Sequence, residues 1–95
     1  MLVVYDKIQW HLNEDHDMAI NRMKTLLSFL NEKGLLSEEG KEILEFGVDE
    51  STSVHERMLT DDGKDFMDAC YDKALGSKNF SDALSQEYSD WRAEA

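Results

Sequence analysis

An all-α fold, a small bundle of three or four amphipathic helices with an extended N-terminal arm lying across it, is what this sequence predicts. Three observations lead there. Apolar residues recur at three- and four-residue steps in several segments, residues that favour helix starts and stops punctuate them, and there is no proline to break a helix.

The opening, Leu2-Val3-Val4-Tyr5 followed by Ile8, Trp10 and Leu12, is apolar and partly alternating. That pattern suits a short strand or an extended arm. No pairing partner is evident elsewhere, so an arm or a short helical turn is the favoured expectation. The first helix is expected from about Asp15 to Lys33, with Asn13 or Asp15 as its cap. Ala19, Ile20, Met23, Leu26, Leu27 and Leu30 share one face of it, and Gly34 ends it. Ser37 caps a second helix running through about Val48. Thr60 caps a third, which ends near Leu75 with Gly76 as its stop. A fourth follows Ser81 and runs to about Ala93, with Leu84, Tyr88 and Trp91 on one face. Val54 and Met58, four apart, allow a short extra helix between the second and third. The expected core is Ile20, Met23, Leu27, Leu30, Ile43, Phe66, Cys70, Leu84, Tyr88 and Trp91.

With 95 residues, 41% of them hydrophobic, the chain is expected to form a single domain over 1–95. A single cysteine excludes an internal disulfide. The N-terminus lacks the basic and long apolar regions of a signal peptide, and no apolar run has the ~20 residues that span a membrane. A cytoplasmic protein is expected.

The net charge of −11 is concentrated in one place. Residues 38–72 hold twelve acids against Lys41, Arg57 and Lys64, whereas the flanking segments are nearly neutral. Such a field repels phosphate backbones and anionic membranes, so nucleic-acid and membrane binding are not expected. A basic protein is the expected partner, and a merely solvating acidic surface is the competing reading.

A near-repeat organises this acidic middle. Leu36-Ser37-Glu38-Glu39-Gly40-Lys41-Glu42 aligns with Leu59-Thr60-Asp61-Asp62-Gly63-Lys64-Asp65, and the match closes with Val48-Asp49 against Tyr71-Asp72. At ~100° per residue, Glu38, Glu42, Glu45 and Asp49 form one stripe and Asp61, Asp65, Asp68 and Asp72 another, each opposite an apolar face. Acids toward helix C-termini oppose the helix dipole. Glu45, Asp49, Asp65, Asp68 and Asp72 are therefore the candidate partner-binding residues.

The chemical alternatives are thinner. His11, Asp15, His16 and Asp17 cluster in sequence, which makes a small enzyme or metal-dependent protein using His11, His16 and nearby carboxylates the alternative function. Their spacing fits no zinc template. Asp61-Asp62-Gly63-Lys64-Asp65 lacks the glycine offset and closing glutamate of a calcium loop. Cys70 falls on the apolar face of an acidic helix, a setting that raises a thiol pKa, so it reads as core. No phosphate loop, serine elbow or dinucleotide fingerprint occurs, and no cofactor or catalytic residue is expected.

Tyr5-Asp6-Lys7-Ile8-Gln9-Trp10-His11 resembles the Tyr-Asp-x-x-x-Trp-His opening of an uncharacterised family of small acidic bacterial proteins. Phe29-Leu30, Gly34-Leu35, Ser37-Glu38-Glu39, Arg57-Met58-Leu59-Thr60, Phe66 and Cys70 with Asp72 extend the likeness. The resemblance implies one compact domain and carries no activity to any residue. Size, charge and helical build are also similar to those of immunity proteins that neutralise nuclease toxins, without a shared motif.

Overall fold

The computed structural model describes residues 3–7, 16–49 and 51–94, with the side chains of His16 and Glu94 left out. Four helices and one small sheet appear among them. The order is β1 (Val4–Lys7), α1 (His16–Glu32), α2 (Glu38–Phe46), β2 (Ser53–His55), a 3₁₀ turn (Glu56–Met58), α3 (Asp61–Leu75) and α4 (Phe80–Glu94). The protein is thus mostly helical but not purely all-α.

The sheet corrects the expectation for the N-terminal segment. Val4–Lys7 is a strand, and its antiparallel partner is Ser53–His55. Val4 faces His55, Asp6 faces Val54 and Lys7 faces Ser53, with a register shift between Val4 and Asp6 that leaves Tyr5 as the extra residue. Such a bulge bends the strand and re-aims its side chains. Ser53-Val54-His55 is only three residues with one apolar member, too short a signal to read as a strand. Val54 is fully buried as its middle residue, and the expected helix through Val54 and Met58 shrinks to the 3₁₀ turn that follows.

The helix boundaries follow from capping chemistry. At the end of α1, Leu35 N–H donates to Leu30 C=O at 2.8 Å and Gly34 N–H to Asn31 C=O at 3.1 Å, with Gly34 at φ +72. That double closure satisfies two last-turn carbonyls, and a left-handed residue is required to make it. Ser37 Oγ accepts from Gly40 N–H at the start of α2, and Thr60 Oγ1 from Gly63 N–H at the start of α3. The fourth helix begins slightly earlier than expected because Asn79, not Ser81, caps it. Asn79 Oδ1 accepts from Asp82 N–H at 3.1 Å.

The near-repeat is a structural joint. Leu36 and Leu59 form an isolated antiparallel bridge. Ser37 N–H donates to Met58 C=O at 2.9 Å, and its repeat equivalent, Thr60 N–H, donates to Leu35 C=O at 2.9 Å. A Cβ on Gly40 would overlap the Met58 carbonyl oxygen, and one on Gly63 would overlap that of Leu35. The two helix starts therefore meet about an approximate twofold axis, each glycine seating the other unit's backbone. This explains glycine in the first turn of two helices, where it costs about 0.8–1.0 kcal/mol against alanine.

The core is built mainly from α1, α3 and the segments that join the helices. Met23, Leu27, Leu30, Phe66, Cys70 and Leu84 are buried as expected, joined by Leu26, Leu35, Met58 and Ala74. Ile20, Ile43, Tyr88 and Trp91 pack against this core but are only partly buried. Phe66 is the hub of the aromatic group. Its ring centroid lies 6.0 Å from that of Phe29, 5.9 Å from Tyr88 and 5.6 Å from Trp91. Edge-on and tilted pairs of this kind add roughly 0.5–1.5 kcal/mol each beyond area burial. Lys33 and Arg92 lie over the outer ring of Tyr88, at 5.2 and 5.6 Å.

One polar pair is buried beside this core. Asp6, 3% exposed, accepts a hydrogen bond at Oδ2 from the Tyr71 hydroxyl. Burial, followed by the Asp6 charge, pushes the Tyr71 phenol well above its ordinary range. The bond ties β1 to α3 across 65 residues of sequence.

Candidate functional site

The acids of α2 and α3 do lie outside the core. Glu38, Glu42 and Glu45 are exposed on α2, and Asp61, Asp65, Asp68 and Asp72 on α3. Two weak pairs within single helices, Lys41–Glu38 at 3.6 Å and Lys64–Asp61 at 3.4 Å, sit in their first turns. Among the described residues no cation pairs with Glu45, Asp65, Asp68 or Asp72. The α3 stripe flanks β1. Tyr5 has its phenol raised above the ordinary value by burial first and then by the Asp68 carboxylate.

Asp49 takes a different place from the one its repeat alignment suggested. The second helix ends at Phe46, two residues short of the expected Val48, because Gly47 at φ +120 carries the chain out of helical geometry. Asp49 is therefore in a turn rather than on the stripe with Glu38, Glu42 and Glu45. Its Oδ1 accepts from Ser51 N–H at 2.9 Å, from the Ser51 hydroxyl at 2.7 Å and from the Thr52 hydroxyl at 3.4 Å. These bonds, led by that from the Ser51 hydroxyl, hold its carboxyl below the usual range. Asp49 stays exposed and ionised, with its Oδ2 taking no donor among the described residues.

The structure adds a residue that sequence reasoning missed. Phe46, the last residue of α2, is 89% exposed, more than Met18 at 63% or Val3 at 50%. At ~100° per residue it projects between Glu39 and Glu42, roughly 110° from the apolar stripe of Gly40, Ile43 and Leu44. The signal was available: this is the one aromatic of α2, and it falls on the acidic side of the helix. Beyond it lies a depression of about 220 Å³ lined by Phe46, Gly47, Asp49, Ser51, Thr52 and Ser53, among others. His55 also lines it, with Nε2 at 3.8 Å from Glu39 Oε2 and Nδ1 buried without a hydrogen-bond partner among the described residues.

The other chemical candidates are placed as follows. His11 lies outside the described residues, and His16 opens α1 with its side chain outside them. Among the described residues no group of three or more His, Cys, Asp or Glu side chains could hold a metal ion. Asp61–Asp65 is the first turn of α3 rather than a loop, so its carboxylates radiate from a helix and do not converge. Cys70 is 4% exposed, and its thiol faces the Glu87 carbonyl oxygen at 3.8 Å. No described helix is long and apolar enough to cross a membrane. No family model, curated protein or solved structure matches the chain.

Proposed function

We propose that this chain is a non-enzymatic, cytoplasmic protein-binding domain whose acidic helix faces cover a basic surface of a partner protein, as an immunity protein covers its toxin. The supporting observation is the exposed stripe Asp65, Asp68 and Asp72 on α3, without a pairing cation among the described residues. Like charges at i, i+3 and i, i+4 cost an isolated helix roughly 0.2–0.5 kcal/mol per pair. The acids in the first turns of α2 and α3 suit the positive end of the helix dipole. Glu45 and Asp72, in the last turns, oppose it. A cationic partner offsets that repulsion and draws association speed from it. The net charge of −11 argues against nucleic acid as that partner.

The test is the fourfold variant Glu45→Gln, Asp65→Asn, Asp68→Asn and Asp72→Asn. It spares Asp49, whose carboxylate closes a turn. The isolated variant should be as stable as the parent, or slightly more so at low salt, where charges are least screened. A partner captured from native lysate should bind it more slowly, with a flatter dependence of association rate on ionic strength. An unchanged rate and salt slope would show that the acids only solvate the surface.

A further inference from the structure

We infer that the depression at the C-terminal end of α2 receives an arginine side chain of the basic partner, stacked on Phe46. The inference rests on the acidic-binding reading above and narrows it to one place and one side chain.

Four features of that place attract a cation, all of them within the short stretch from Phe46 to Ser53. Phe46 is 89% exposed and is one of the residues that line the depression. Aromatic faces hold cations through the ring quadrupole, and arginine is used for this more often than lysine. The C-terminal end of α2 opens onto the same space. Its last turn contains no basic residue, and Gly47 N–H closes only onto Ile43 C=O, at 3.0 Å. Free carbonyls there carry the negative end of the helix dipole. Asp49 supplies a carboxylate whose Oδ1 is engaged by the turn and whose Oδ2 takes no donor among the described residues. The turn itself adds the Ser51, Thr52 and Ser53 side chains to the wall. A planar guanidinium can lie on the ring and still donate from its edge to carbonyl, carboxylate and hydroxyl oxygens. An ammonium offers only a compact charge.

The charge around Phe46 also decides against a second copy of this chain. Self-association through this face would bring Glu39, Glu42, Glu45 and Asp49 against their own counterparts. The same carboxylates surround the aromatic anchor with the complement of a basic surface. Aromatic residues, phenylalanine included, are enriched in protein interfaces, and a polar rim surrounds the interface core.

End-blocked octa-arginine and octa-lysine peptides, titrated at low salt into isotope-labelled protein, provide the test. Octa-arginine should shift the amide resonances of Phe46, Gly47, Asp49, Ser51 and Thr52, and octa-lysine should bind more weakly and shift them less. Phe46→Ala should weaken octa-arginine binding by about two- to fivefold and bring the two peptides level. Because Phe46 packs on little, its removal should leave the thermal midpoint unchanged, which a melting curve verifies. Equal binding of both peptides, with shifts confined to α3 and no effect of Phe46→Ala, would overturn the arginine site while leaving the acidic-surface reading standing. Absence of binding by either peptide at low salt would sink both together.

Discussion

Alanine in place of a helical glycine ordinarily stabilises a protein by about 0.8–1.0 kcal/mol. At Gly63 the sign should reverse. A Cβ there would overlap the Leu35 carbonyl oxygen and stand 3.3 Å from both the Leu35 carbonyl carbon and Leu59 Cβ. All three are backbone or near-backbone atoms that no rotamer change can move. The same Leu35 oxygen accepts from Thr60 N–H at 2.9 Å and from the Thr60 hydroxyl at 3.2 Å. Displacing it strains two hydrogen bonds, each contributing about 0.5–1.5 kcal/mol, and overpacks a joint where crowding costs roughly 1–3 kcal/mol. Set against the helical gain, Gly63→Ala should lose about 2 kcal/mol. For a domain of this size that is roughly 8–16 °C in Tm. Gly40→Ala should act in the same direction through Met58. Gly76→Ala is the control, since Gly76 already has helical φ −78 and its nearest neighbours would be at an ordinary 3.7 Å. It should leave stability unchanged or raise it. Thermal and urea unfolding followed by circular dichroism reads all three. If Gly63→Ala raises the midpoint, the joint is not tightly packed and the twofold account of the repeat fails.

Two further outcomes follow from buried groups. Tyr71→Phe removes the hydroxyl that donates to Asp6, one hydrogen bond of a buried carboxylate that also accepts from Lys7 N–H, a loss of about 1–3 kcal/mol. Because the folded Tyr71 phenol titrates above its ordinary 10.0, the unfolded chain loses that proton first. Its contribution is full below about pH 10 and declines above it by up to ~1.4 kcal/mol per pH unit. Urea titrations at about pH 9 and pH 11 should show this decline to be smaller in the variant, and equal slopes would refute the assignment. Cys70, 4% exposed, should react slowly with a disulfide reagent in the folded protein and rapidly in denaturant. Fast labelling of the native state would reopen it as a nucleophile.

The four helices were legible because each carries its own signals: Gly34 after α1, Ser37 and Thr60 before α2 and α3, and Leu84, Tyr88 and Trp91 along α4. The sheet was not, because pairing couples Val4–Lys7 to a three-residue strand nearly fifty positions away, and neither segment declares the other. Asp6 carries no local sign of burial in the sequence. Its burial depends on the bulge at Tyr5 and on a hydroxyl in α3, neither visible in local pattern. The acidic stripe on α3 was read in place, since helix geometry alone projects it outward. The α2 stripe was over-extended to Asp49 because Gly47, inside the assumed helix, ends it. Phe46 is hidden from apolar periodicity because it falls outside the stripe of Gly40, Ile43 and Leu44.

The twofold joint has a consequence for how the molecule can come apart. Ser37 draws its backbone acceptor from the residue pair preceding α3, and Thr60 draws its own from the pair preceding α2. Neither helix start is complete without the other, and the segments that complete them are separated by only 23 positions. α2 is too short to persist on its own in water, where helices below ~12–15 residues are marginal. The acidic middle of the chain must therefore form and melt as one cooperative unit, a single foldon containing both halves of the repeat. The charged faces it carries are then displayed together or lost together.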